Sequence, residues 1–322
     1  MYNDKLLISD WRTAEKKAIR TGAGEGLVKL GSEHDDVVVL TADLAESVRV
    51  REFAEAYPER FFDVGVAEQN MVGVAAGLSF EGLVPFAASY ASFSPGRNWE
   101  QIRVSVALSK ANVKIIGAHA GVATGVNGPS HQATEDIALM RVLPNMVVLV
   151  PCDANQAAAA VEAAYKHSGP VYIRPSRPDT ANFTQPTPFE VGKAYVYREG
   201  KDITICACGI KVYDSLIVAE ELALQGIECE VINVSSIKPL DTETLLQSAK
   251  KTGKVITIED HQIAGGMGSA VAELFSERYP LLIKRMGIDD VFGVSGNWED
   301  VYKRVGLDRA SLKKAVVDWF HE

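Results

Sequence analysis

Met146-Val-Val-Leu-Val-Pro-Cys-Asp-Ala-Asn-Gln-Ala-Ala-Ala-Ala-Val-Glu-Ala-Ala-Tyr-Lys166, followed by Gly169 and then Pro170-Val-Tyr-Ile-Arg174, decides the fold. It opens on a continuous apolar run, which suits a strand buried on both faces. Asp153 then stands where a helix N-cap belongs, an alanine-rich helical stretch follows, and Gly169 lies just beyond its end. Apolar strand, capped helix and second apolar strand make the repeating unit of a parallel sheet covered on both sides. The same reading makes strands of Val37–Thr41, Val84–Tyr90 and Val113–Gly117. A composition break follows at Pro175–Pro188, with four prolines and no helical period, and reads as a linker. The alternation then resumes, with strands at Ile203–Cys208, Cys229–Val234, Val255–Glu259 and Leu282–Met286 and an amphipathic helix at Arg309–Phe320. The expectation is an α/β protein of two domains, each a mostly parallel sheet flanked by helices. Residues 1–180 form the first, 181–192 connect, and 193–322 form the second.

The chain has 322 residues and a net charge of −9, with an isoelectric point near 5.3. A nucleic-acid partner needs a basic face, so that class is set aside. Small phosphorylated ligands need only a local cluster of cations and stay open. The four cysteines, Cys152, Cys206, Cys208 and Cys229, form no Cys-x-x-Cys pair and have no histidines at metal spacing. They read as reduced core residues with no structural metal. The polar Met1-Tyr-Asn-Asp-Lys-Leu-Leu-Ile-Ser start does not suit a signal peptide, and no apolar run approaches a membrane span. A cytoplasmic protein is expected.

Two glycine clusters invite a dinucleotide reading. Gly22-Ala-Gly-Glu-Gly26 lies within a helical pattern rather than after a strand, which is the wrong context. Gly265-Gly-Met-Gly268 follows a strand but lacks the Gly-x-Gly-x-x-Gly spacing, so a helix entry with close backbone packing explains it. No Gly-x-Ser-x-Gly elbow is present, which leaves serine-hydrolase chemistry without support.

Three other stretches are richer. Phe61-Phe-Asp-Val-Gly-Val-Ala-Glu-Gln-Asn-Met71 leads into the small, apolar Val72–Leu78. Glu68 therefore either matches a helix dipole or is a nearly desolvated carboxylate awaiting a partner. Gly121-Val-Ala-Thr-Gly-Val-Asn-Gly-Pro-Ser-His131 follows a strand, and His119 stands at that strand's carboxyl end. Ligands bind outside the carboxyl ends of strands in open α/β sheets, so His119 and His131 are binding candidates as well as structural ones. In Ser89-Tyr-Ala-Ser-Phe-Ser-Pro-Gly-Arg-Asn-Trp99, Tyr90 and Phe93 are either core aromatics or a wall for a planar ring.

Together these stretches resemble the transketolase family of thiamine-diphosphate enzymes, over nearly the whole chain. Its most specific pieces are Val64-Gly-Val-Ala-Glu-Gln-Asn-Met71, Gly128-Pro-Ser-His-Gln132, Glu135-Asp-Ile-Ala-Leu-Met-Arg-Val-Leu-Pro-Asn145 and Ile237-Lys-Pro-Leu-Asp241. The match is to the second half of a transketolase, a pyrimidine-binding domain followed by the C-terminal domain. The family's Gly-Asp-Gly and following Asn, which hold Mg²⁺ and the diphosphate, are missing. The resemblance implies one subunit of a split enzyme, whose N-terminal partner carries those ligands, in an α2β2 assembly. No metal ligand is assigned to this chain.

The resemblance also implies roles. Glu68 would hydrogen-bond the aminopyrimidine of thiamine diphosphate and favour the imino tautomer that takes the thiazolium proton. Tyr90 and Phe93 would pack against the pyrimidine. Arg20, Ser47, His119 and Arg177 fall on the sugar-phosphate positions, where two guanidiniums clamp a phosphate. His131 matches the histidine near the reacting carbon. Asn127 stands where the family has Asp, which changes recognition of a substrate hydroxyl and leaves the sugar open, a sulfonated one included. The implied reaction moves a two-carbon ketol unit from a ketose phosphate to an aldose phosphate, as in the pentose phosphate pathway. A 2-oxo-acid dehydrogenase β subunit and a deoxyxylulose-phosphate synthase are alternatives with the same cofactor. The phosphate set disfavours the former, and retention of Glu68, His119 and His131 disfavours a non-catalytic partner.

Overall fold

The computed structural model describes the whole chain, Met1–Glu322. A seven-stranded sheet runs in the order Ser236–Lys238, Val147–Leu149, Val171–Ile173, Lys114–Ala118, Val84–Tyr90, Val37–Thr41, Phe61–Asp63. Every neighbouring pair is parallel except the first, where Ser236–Lys238 runs antiparallel to Val147–Leu149. A five-stranded sheet runs Ile283–Ile288, Val255–Gln262, Ile203–Ala207, Cys229–Asn233, Tyr195–Arg198, and only the last strand is antiparallel. The expected two-part, mostly parallel α/β architecture is therefore the one observed. The central strands Val37–Thr41, Val84–Tyr90, Lys114–Ala118 and Ile203–Ala207 are buried along their entire length, as their unbroken apolar runs require.

The Ala154–Lys166 helix forms with Asp153 as its cap, whose side chain accepts from the Gln156 amide at 2.9 Å. The same carboxylate also accepts from Phe183 N at 2.9 Å, Thr184 N at 2.6 Å and the Thr184 hydroxyl at 2.8 Å. It thereby fastens the proline-rich connection to the first sheet's helices. Phe183 is fully buried there, and Asp179–Ala181 pairs antiparallel with Lys16–Ala18. The connection is pinned rather than loose. The two halves are further tied by Ser236–Lys238, a strand of the second half that closes the edge of the first half's sheet. Both buried apolar clusters draw residues from both halves.

The glycine clusters serve packing. Gly22 and Gly26 lie in the Ile19–Glu33 helix, and a Cβ at Gly22 would come within 2.0 Å of the Ala154 carbonyl oxygen. The first turn of the Met267–Arg278 helix gives its Met267 and Gly268 amides to the Glu259 carboxylate at 2.6 and 2.8 Å. That carboxylate takes the place a phosphate would need. All four cysteines are buried and free. Burial raises their thiol pKa values, that of Cys229 to about 12. No helix is long and apolar enough to cross a membrane.

Replacing Asp153 with Ala would leave three buried backbone amides and a buried hydroxyl without an acceptor. The expected loss of unfolding free energy is about 3 kcal/mol, read by urea denaturation. A loss below about 1 kcal/mol would show that the connection is held by packing alone.

Candidate active site

Four adjacent parallel strands of the first sheet deliver most of the site. Val84–Tyr90 ends in Tyr90, whose register partner Ala118 ends Lys114–Ala118 and is followed by His119. Val37–Thr41 leads into the turn that carries Ser47. Arg20 comes from the first turn of the Ile19–Glu33 helix, and Arg177 follows Val171–Ile173. They line one cavity of about 400 Å³ with Arg20, Ser47, Tyr90, His119, Asn127 and Arg177 around it, joined by Glu46 and Arg49. The sequence-derived sugar-phosphate positions thus converge in space.

The cavity is strongly cationic. Arg20 donates to the Ser47 carbonyl, and Arg177 donates to the Thr124 carbonyl at 3.4 Å. Neither is paired with a carboxylate. Burial, with the charges of Arg49 and Arg177 beside it, pulls the Arg20 pKa down to about 10. His119 is only 2% exposed. Burial first, then Arg20, Arg177, His131 and Arg49, push its pKa down to about 2, so its imidazole is neutral. Its Nε2 lies 3.5 Å from Arg20 Nη1, while Nδ1 is buried without a partner. A neutral imidazole among cations can hydrogen-bond an anion without adding charge.

Aromatic rings connect this cavity to the Glu68 region. Tyr90 stacks on His119 at 3.9 Å and on Phe93 at 5.7 Å. His131, partly exposed, meets Phe93 edge-on at 5.3 Å and Tyr90 at 5.9 Å. The structure therefore places Tyr90 on the cationic cavity as well as beside Phe93. Glu68 begins the Glu68–Phe80 helix and is 1% exposed. Its Oε2 accepts from Arg97 Nη1 at 2.7 Å, and the same guanidinium lies 4.6 Å over the Phe93 ring. Both sequence readings of Glu68 hold locally: it starts a helix, and it is desolvated.

That arrangement also tests whether a pyrimidine fits. The Arg97 guanidinium is a planar donor lying on Phe93 and donating to Glu68, and its side chain is 48% exposed. A planar aminopyrimidine with a donor edge has the same requirements. The residues present therefore fit such a ring. No group of three or more His, Cys, Asp or Glu side chains is placed to hold a metal ion.

The second half of the chain braces the loop between the two histidines. Asp260 is 4% exposed, and its carboxylate accepts from Val122 N at 2.9 Å, Ala123 N at 3.2 Å and the Tyr302 hydroxyl at 2.8 Å. Gly121 has φ +78°, and a Cβ there would stand 2.0 Å from an Asp260 oxygen. Behind it, Arg174 grips Asp136 at 2.7 and 3.0 Å and donates to the Asp260 carbonyl at 2.9 Å. Burial opposes the Asp136 charge, but Arg174 and the Tyr172 hydroxyl keep its pKa below the usual range.

Sequence reading missed Arg49, Arg97 and Asp260. Arg97 stood inside the aromatic segment, and Arg49 is two residues past Ser47. Asp260 carried no signal, because its loop partners Val122 and Ala123 lie 138 and 137 residues away and Tyr302 lies 42 away.

Residues 15–182 match the transketolase pyrimidine-binding domain, and residues 192–312 match the transketolase C-terminal domain. A putative transketolase C-terminal section of Methanocaldococcus jannaschii is 44% identical, covering 94% of this chain and 96% of that protein. A 6-deoxy-6-sulfo-D-fructose transketolase subunit of a Clostridium species is 42% identical, covering 90% of each chain. Among solved structures, a split-gene transketolase described as an inactive β4 tetramer is 46% identical. It superposes with a TM-score of 0.88, over 94% of this chain and 98% of the other.

His119 should stay neutral down to about pH 4 in a histidine NMR titration, given a folded pKa of about 2 against an ordinary 6.5. Because the unfolded chain takes up a proton that the folded chain refuses, His119 lowers stability as pH falls below about 6.5. The slope is about 1.4 kcal/mol per pH unit. Titration near pH 6.5 would show that His119 is solvated.

Proposed function

The chain belongs to the transketolase family, and from that premise we propose that it is the C-terminal subunit of a split, thiamine-diphosphate-dependent transketolase. The observation that carries this reading is the unbroken path from a buried carboxylate to an arginine-lined cavity. Glu68 meets Arg97, Arg97 covers Phe93, and Phe93 leads through Tyr90 to His119 and Arg20. A cofactor ring fits at one end and a phosphorylated sugar at the other.

Thiamine diphosphate, when bound, would supply the nucleophilic carbon that two-carbon transfer needs. This chain's residues do the rest on its side of the site. Glu68 would hold the pyrimidine ring by a hydrogen bond from its carboxyl group, in surroundings dry enough to make that bond strong. Phe93 would supply the stacking face that Arg97 covers here. Arg20 and Arg177 clamp the substrate's phosphoryl end, with Ser47 and neutral His119 completing the shell. His131 stands between the two ends, beside Phe93 and Tyr90, where the substrate's carbonyl and hydroxyl groups come. Asn127 can donate as well as accept, so it suits a hydroxyl in a different hydrogen-bonding role from an Asp.

The partner subunit supplies the diphosphate and Mg²⁺ ligands. Two features of this chain support a partner at Glu68. The Glu68–Phe80 helix presents Gly73 and Gly77 to open space, with nothing within 4 Å of an added Cβ. Val66, just before that helix, and Phe80, at its far end, are 71% and 61% exposed. A two-fold α2β2 assembly would cover that face.

With its N-terminal partner, thiamine diphosphate and Mg²⁺, the chain should transfer two carbons from xylulose 5-phosphate to ribose 5-phosphate. A coupled assay checks this, and absence of turnover with every ketose phosphate contradicts it. Glu68→Gln should lower kcat about 100-fold, and near-normal kcat would reassign Glu68. Arg177→Ala should raise KM for phosphorylated donors by about tenfold or more, while unphosphorylated ketoses change little. Equal effects on both would remove Arg177 from the phosphate shell.

A further inference from the structure

The cationic cavity holds one guanidinium more than the resemblance accounts for. Arg49 lies two residues beyond Ser47, half-buried, with its Nε enclosed and without a hydrogen-bond partner. No carboxylate pairs with it. Glu46, the cavity's acidic residue, is exposed and lies 3.6 Å from Arg51 instead. Arg49 also adopts φ +65°, a left-handed conformation that side chains other than glycine's disfavour. The surroundings hold it there. Gly24 leaves room for the turn, since a Cβ at Gly24 would stand 2.0 Å from the Arg49 carbonyl oxygen. The Arg49 amide donates to the Glu46 carbonyl at 3.2 Å.

Three half-buried guanidiniums therefore face one small cavity, with a neutral His119 and with Asn127 where a carboxylate would lower the charge. Like charges gathered away from water are unfavourable until an anion joins them. One anionic charge would leave this cluster undercompensated, and two would match it better.

We propose that Arg49 is a third guanidinium ligand of the substrate's terminal anion, and that it makes the site select a dianionic phosphoryl end over a monoanionic sulfonate. This rests on the reading of the cavity as the sugar's anion site. A phosphate monoester carries close to two charges above pH 7, whereas a sulfonate carries one at any such pH. Each oxygen of a phosphoryl group can take a guanidinium donor, and the second charge strengthens all of those bonds.

Every residue involved is on this chain, so the isolated chain tests the proposal. Isothermal titration at pH 8 with glycerol 3-phosphate and with 3-hydroxypropane-1-sulfonate compares a dianion with a monoanion on similar carbon frames. The native chain should bind the phosphate about tenfold more tightly. Arg49→Gln should weaken phosphate binding about tenfold and sulfonate binding less than threefold, cutting the preference to about threefold or less. Arg49→Lys, which keeps the charge but loses the fork, should fall between, and it serves if the Gln variant does not fold. Unchanged phosphate binding in Arg49→Gln, while Arg177→Ala loses it, would overturn the role of Arg49 and leave the anion site standing. Equal losses for both probes would overturn the selectivity. Unchanged binding in Arg177→Ala would instead overturn the anion site itself.

Discussion

The Asp260 carboxylate is the contact on which the site most depends. It lies at the end of a strand in the second sheet, yet it holds the backbone of the loop that separates His119 from His131. Its desolvation is offset by two amides and a hydroxyl, and Arg174 joins its carbonyl to the buried Asp136. Breaking one partner of such a network leaves buried charge unpaired, a loss of about 3–5 kcal/mol. The second half of the chain thereby shapes the first half's site without contributing a lining residue to the cationic cavity. Gly121, with no room for a Cβ against Asp260, fits the same constraint.

The two ends of the site differ in how complete they are. The cationic cavity is assembled wholly from this chain, from Arg20, Arg49 and Arg177 with His119 and Asn127 between them. The Glu68 end is one-sided. Its carboxylate is buried, its stacking ring is covered by a half-exposed arginine, and its helix turns small residues outward. On the proposed reading, the first end binds substrate alone and the second waits for a partner chain. A cofactor shared across a subunit boundary links catalysis to assembly.

Much of this was legible in the sequence, for identifiable reasons. Asp153 at the head of an alanine-rich stretch is a local signal, and the capped helix forms there. The central strands are buried on both faces, so their unbroken apolar runs marked them. Arg20, Ser47, His119, Asn127 and Arg177 were named together through the family resemblance, and the fold brings them around one cavity. The antiparallel edge strands Tyr195–Arg198 and Ser236–Lys238 were missed, since they are short and their pairing is set by distant register. The proline-rich connection read only as a linker because its anchor, Asp153, binds it from 30 and 31 residues away. Arg97 and Arg49 were silent for a related reason. An ion pair across 29 residues and a left-handed turn are both tertiary facts.

The central claim is that this chain carries half of a cofactor site. Calorimetric titration of thiamine diphosphate with Mg²⁺ into the chain alone, and then into the chain mixed with its N-terminal partner, tests it most directly. The account predicts no saturable binding to the chain alone and tight binding to the mixture. Equally tight binding by the chain alone would contradict it.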